Sequence, residues 1–183
     1  ALTISGVETI NLDAVTANST VSAANITGAT TIALDGSVNV TLTNLKAGTA
    51  LTLGANAGAS GGTATAFTGA LSVSLADATG PADALTLNLT SKGTGGNVAL
   101  TTTGIETLNI VGASDMDAQT LDVSSATVNS IVVTGGYAST ALGLTGGAST
   151  ALNAATNLVD GSAYISTLTA IAATNTATTF KSK

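Results

Sequence analysis

The sequence predicts an all-β chain, a parallel β-helix or β-solenoid-like stack with irregular rungs. Three observations predict it. Short runs with an aliphatic residue at every second position recur along the chain, the period of a strand with one face turned inward. Small polar turns separate these runs, with no amphipathic helix between them. Aromatic residues make up only 2% of the 183, few for a sandwich core, whereas the strand motifs resemble one another, as stacked coils require. A β-sandwich is the alternative that the same spacing allows.

Taken in order, the predicted strands are "LTI" at 2–4, "TINL" at 9–12, "TTIALD" at 30–35, "VNVTLTNL" at 38–45 and "ALTLGA" at 50–55. They continue with "ALSVSLAD" at 70–77, "ALTLNLT" at 84–90, "NVALTTT" at 97–103 and "TLNIVG" at 107–112. The series ends with "TLDVS" at 120–124, "SIVVTG" at 130–135 and "ALGLTG" at 141–146. Thr and Val add β-propensity. The turns between them, such as "LDGS", "TGPAD" and "VDGS", use Gly for positive φ and Asp for bonds to its own backbone. The Ala-rich segment 148–163 would permit a short helix. The chain is expected to be one elongated domain, 1–183, with two related rung blocks at about 1–100 and 101–183.

The division into blocks rests on a motif that occurs twice. "GVETINLD" starts at Gly6 and "GIETLNIV" at Gly104. Each is followed by a polar loop, a second strand and a third strand ending in Gly, so a block of about three rungs is expected to repeat. The motif holds both glutamates of the chain, Glu8 and Glu106. Each lies one residue from an inward aliphatic and is expected to point outward at a rung corner. There its carboxylate would accept bonds from turn amides or lie at a contact between copies.

Charge and composition exclude several classes. The formal net charge is −6, with four Lys and no His, a poor balance for neutralising nucleic-acid phosphates. No run of about 18 apolar residues is present, so no spanning helix is expected. The absence of Cys removes disulfides and thiolate metal sites and is compatible with an extracellular location. Without His or Cys the usual nucleophile–base pairs cannot be built. Carboxylate pairs are the remaining acid–base option, and the sugar-binding aromatics that a glycosidase cleft would use are scarce. The chain is therefore not expected to be an enzyme.

Calcium is the one cofactor the carboxylates suggest. Asp115, Asp117 and Asp122 fall within "SDMDAQTLD", and loop carboxylates and carbonyls supply the six to eight oxygens calcium needs. A solvated acidic loop is the plainer reading of the same residues. Asp77 and Asp83, flanking "ATGPA", form a weaker calcium candidate. Asp13, Asp35 and Asp160 read as single turn residues that bond local amides. The Thr-x-Thr runs at 41–43, 101–103 and within 174–179 are too irregularly spaced for the flat threonine ranks of an ice-binding solenoid, and favour β-propensity and hydroxyl pairing instead.

"SGVETINLD", "TTGIETLNIVGAS", "ADALTLNLT" and "LVDGSAYISTLTA", with the Ala/Thr/Ser/Gly/Asn bias, resemble bacterial surface-layer proteins of the RTX, type I-secreted kind, as found on Caulobacter and Campylobacter. The hallmark Gly-Gly-x-Gly-x-Asp calcium repeat of that family is missing: "TGGNVALT" and "TGGYASTA" hold the glycines without the aspartate. The resemblance implies a lattice-forming β-helical region in an extracellular, crystalline cell-surface coat. Its partners would be other copies of itself, with cell-surface polysaccharide held through a region outside this chain. The alternative is a stalk or adhesin-type binding domain of a type I-secreted repeat protein.

Overall fold

The computed structural model describes residues 3–14, 17–54, 66–90, 97–113, 119–136, 141–145, 151–170 and 178–183. Because aliphatic and hydroxyl side chains alternate, each strand has one face that must be covered by another layer. Two long sheets supply that cover. The first has eight strands: β2 (Thr9–Ala14), β5 (Thr31–Gly36), β7 (Ala50–Leu53), β9 (Ala84–Leu89), β11 (Thr107–Gly112), β13 (Ser130–Gly135), β15 (Leu158–Tyr164) and β17 (Thr179–Lys181), in that spatial order. The second has seven: β3 (Ser19–Ser22), β6 (Val40–Leu45), β8 (Leu71–Leu75), β10 (Asn97–Thr103), β12 (Gln119–Asp122), β14 (Ala141–Gly143) and β16 (Thr167–Thr169). A short pair, β1 (Ile4–Ser5) and β4 (Ile26–Thr27), forms a third sheet beside the first two coils.

The chain alternates between the two long sheets, so neighbours in a sheet are one coil apart in sequence. Thr9 stands beside Thr31 and Thr31 beside Ala50, steps of 22 and 19 residues. Thr107 stands beside Ser130, a step of 23. The step from Leu51 to Leu87 is longer, 36 residues, because more of the sequence separates β7 from β8. Among the described residues every strand pair is parallel. A sandwich is built from antiparallel pairs, so the solenoid-like stack is the fold.

In-register pairing turns the period-two pattern into columns. Ile10, Ile32, Leu51, Leu87, Ile110 and Val133 stack along the inner face of the first sheet. Val40, Leu71 and Leu100 stack along the second. All are buried in one apolar cluster. Each buried Leu or Val contributes about 1.5–3 kcal/mol, so a core without tryptophan gains its stability from the number of layers. Phe67 is the largest fully buried side chain. It bridges to Gly36 in parallel and seats the β7–β8 connection against the second coil.

Four details differ from the sequence-based expectation. The repeated block of "three rungs" is three strands: β2, β3 and β5 in one copy, β11, β12 and β13 in the other, which is one coil plus the first strand of the next. Segment 151–163 contains no helix and instead runs into β15; 148–150 lie outside the described residues. The run 38–45 is broken by a bulge, where Asn44 takes φ 56 and shifts the register so that Leu45, not Asn44, turns inward. Asparagine tolerates this left-handed conformation better than most residues. Finally β3, β16 and β17 are strands that the hydrophobic pattern alone did not single out.

Candidate functional site

The duplicated glycine–glutamate motif is a coil corner. Gly6 and Gly104 adopt φ +68 and +64, and three residues later the chain enters β2 or β11. At each corner one carbonyl accepts two amides of the neighbouring coil. Glu8 O accepts the N–H groups of Thr30 (2.9 Å) and Thr31 (3.1 Å). Glu106 O accepts those of Asn129 (2.8 Å) and Ser130 (3.0 Å), and Asp83 O those of Glu106 (2.8 Å) and Thr107 (3.0 Å). This ladder ties successive coils together at the same edge. The expected role of the glutamate side chain is realised at Glu106, whose Oε2 accepts the Asp83 N–H at 2.9 Å. The glutamate therefore clasps the corner of the coil before it.

The two motifs differ in what covers them. Ile105 is fully buried and Glu106 half-buried, whereas Val7 is 41% exposed and Glu8 is exposed. Coil order explains the difference: β11 has β9 on its N-terminal side, while β2 is the edge strand of its sheet. Glu8 and Glu106 stand four strand steps apart in that sheet, roughly 19 Å at about 4.8 Å per step. They do not form a carboxylate pair.

The candidate calcium ligands are placed as follows. Asp115 and Asp117 lie outside the described residues. Asp122 ends β12, and its Oδ1 accepts the Ser124 N–H at 3.0 Å. Asp77 Oδ1 accepts both the Thr79 hydroxyl (2.7 Å) and the Thr79 N–H (3.2 Å); the hydroxyl first, then the N–H, hold its carboxyl below the usual 3.8. Asp83 Oδ2 is shut in without a hydrogen-bond partner. Among the described residues no three acidic side chains converge as a metal-binding group. The Asp77–Asp83 pair by itself thus falls short of calcium's six to eight oxygens. Asp160 lies in strand β15 rather than in a turn, but it bonds a local amide as expected, accepting the Ser162 hydroxyl (2.6 Å) and N–H (3.1 Å) at the β15 bulge. Asp13 and Asp35 are likewise strand residues, side by side in β2 and β5, with Asp35 buried.

The outer face of the second sheet carries the most regular feature of the surface. Thr20, Thr41, Ser72 and Thr101 form one column across β3, β6, β8 and β10. Ser22 pairs with Thr43, and Ser74 with Thr103, two positions further along. Neighbouring positions in such columns are about 4.8 Å apart across strands and about 6.7 Å apart along them. No charged residue occurs in these four strands. Along the sequence "TLT" and "TTT" are irregularly spaced. The coils differ in length, and the loops absorb the irregularity, so the strands align while the sequence spacing does not. Residues 174–177 of the third run lie outside the described residues.

Among the described residues no helix is long and apolar enough to cross a membrane. No family model, curated protein or solved structure matches the chain.

Proposed function

We propose that the chain is a structural segment of an extracellular, self-assembling coat of the surface-layer type, associating laterally through uncharged hydroxyl-rich faces. The observation that carries this reading is the column Thr20–Thr41–Ser72–Thr101 with its neighbours Ser22, Thr43, Ser74 and Thr103. A parallel sheet face whose four strands β3, β6, β8 and β10 carry no charge offers donors and acceptors in ranks and little repulsion between like copies. Hydroxyls pair well across such a face because each is both donor and acceptor. Calcium would act through Asp115, Asp117 and Asp122, on either side of the start of β12.

Electron microscopy of the chain with calcium and with chelator tests the proposal. Ordered sheets are expected from the wild type. Thr41→Lys combined with Thr101→Lys puts two like charges on the face and is expected to abolish the sheets while circular dichroism stays unchanged. Sheets that survive this double substitution would overturn the lateral role of the face. Equal assembly with and without calcium would remove calcium from the proposal.

A further inference from the structure

We infer that the outer face of β3, β6, β8 and β10 binds ice. This goes beyond the coat proposal and does not rest on it: the face is the same, but its occupant is an ordered water lattice. The starting point is a set of hydroxyls that the fold leaves unused. Thr30, Thr49, Thr127, Thr156 and Thr178 each donate to a main-chain carbonyl of a neighbouring coil. The hydroxyls of Thr20, Thr41, Ser72 and Thr101 bond no group of the chain among the described residues, and neither do those of Ser74 and Thr103. Asn44 reaches into the second column, where its Nδ2 donates to Ser22 Oγ at 3.1 Å. The column Thr20–Thr41–Ser72–Thr101 is therefore the one left open from β3 to β10.

These hydroxyls are held in place. Leu42 and Val73, on the inward side between the outward positions of β6 and β8, are buried. Threonine adds a stiff χ1 of its own. The column spacing then selects the ligand. In a tetrahedral water network with O–O distances of about 2.8 Å, second-neighbour oxygens lie about 4.6 Å apart. Strand positions recur at about 4.8 Å. Over the three steps from β3 to β10 the mismatch adds up to only about 0.6 Å. The uneven spacing along the sequence, which spoke against such ranks, is absorbed in the loops.

The outer face of the first sheet has no such column. There Asn109, Val132, Asp160 and Lys181 follow one another in register. A charged group keeps a hydration shell of its own, and none occurs in β3, β6, β8 or β10. One hydroxyl–water bond is worth little net, because liquid water offers the same bond. Water in ice is already immobilised, so bonding it avoids the ordering cost that a liquid water adds. A row of aligned hydroxyls therefore favours the crystal over the liquid.

Thermal hysteresis and partition into a growing ice front test this on the whole chain. The wild type should show hysteresis and enter the ice. Thr41→Lys and Thr101→Lys, each placing a strongly hydrated ammonium in the open column, should abolish both with circular dichroism and melting temperature unchanged. Thr86→Lys puts the same charge on the outer face of the first sheet, beside Asn109, and should leave both intact. A folded wild type excluded from ice, folded column variants that keep the hysteresis, or loss in Thr86→Lys would each overturn the inference. Ice binding by a wild type that forms no sheets would uphold it and sink the coat. Sheets from a chain that ice excludes would do the reverse.

Discussion

Replacing Thr102 by valine should stabilise the chain, although it removes a polar group from a strand rich in threonine. Thr102 lies in β10 on the inward side, 2% exposed. It stands in register with Val73 on one side and Ala126 on the other. Its Oγ1 is buried without a hydrogen-bond partner. A buried hydroxyl left unsatisfied costs about 1–3 kcal/mol. Valine keeps the β-branched shape, so neither cavity nor overpacking offsets the gain. We expect a stabilisation of about 1–2 kcal/mol, or a rise in melting temperature of roughly 2–8 °C for a chain of this length. Thermal and urea unfolding followed by circular dichroism measure it. Thr102→Ser is the control: it keeps the hydroxyl and deletes a methyl, and should lower stability by about 1 kcal/mol. A valine variant less stable than wild type would show that the hydroxyl is satisfied, and the account of the column would be wrong.

Further outcomes follow from other parts of the stack. Phe67→Ala empties the largest buried site and should cost about 3–5 kcal/mol, read by urea unfolding; a loss below 1 kcal/mol would mean that the β7–β8 connection is not anchored there. Glu106→Ala removes the acceptor of the Asp83 N–H and should cost about 1–3 kcal/mol, most of it recovered by Glu106→Gln, which keeps an acceptor oxygen; equal losses in the two variants would point to charge rather than the hydrogen bond. Gly136→Ala would drive a Cβ into the Tyr164 ring, and near-ultraviolet circular dichroism should register the displaced tyrosine; an unchanged spectrum would contradict that packing. Asp77 and Asp160 are held below their ordinary 3.8, the first by the Thr79 hydroxyl and N–H, the second by the Ser162 hydroxyl and N–H with a lesser part from Lys181. Because the folded values are lowered, this stabilisation is present above 3.8 and is lost as pH falls through the folded values. Thr79→Val should raise the Asp77 value toward 3.8 in a carboxyl-carbon NMR titration, and no movement would refute the assignment.

The fold was legible because the strand period is strict where both sheets are buried on one side. "ALTLNLT" and "TLNIVG" place Leu85, Leu87, Leu108 and Ile110 inward with no competing phase, and β9 and β11 form there. Legibility fails where a corner or bulge interrupts the period. Asn44 occupies a position that simple alternation assigns to a buried residue, and only its left-handed backbone returns Leu45 to the core. β3, "STVS", holds a single aliphatic, Val21, and β17 a single aromatic, Phe180, so neither offers an alternation to read. The hydroxyl columns were hidden for a different reason: register is set in space by coil pairing, and coils of 19 to 36 residues scramble it along the sequence.

The two glutamates show how the sequence and the coil order combine. From residues alone, a motif holding every glutamate could be a paired-carboxylate site or a corner. Roughly four strand spacings between them remove the first option. The corner then explains both copies with one rule: glutamate clasps the amide of the coil before it. The rule is fulfilled at Glu106, whereas Glu8 precedes the edge strand β2, beside which the described residues place no earlier coil. If Glu106→Ala destabilises the fold no more than Glu8→Ala, the clasp is not what holds the corner, and both glutamates belong to the solvated surface.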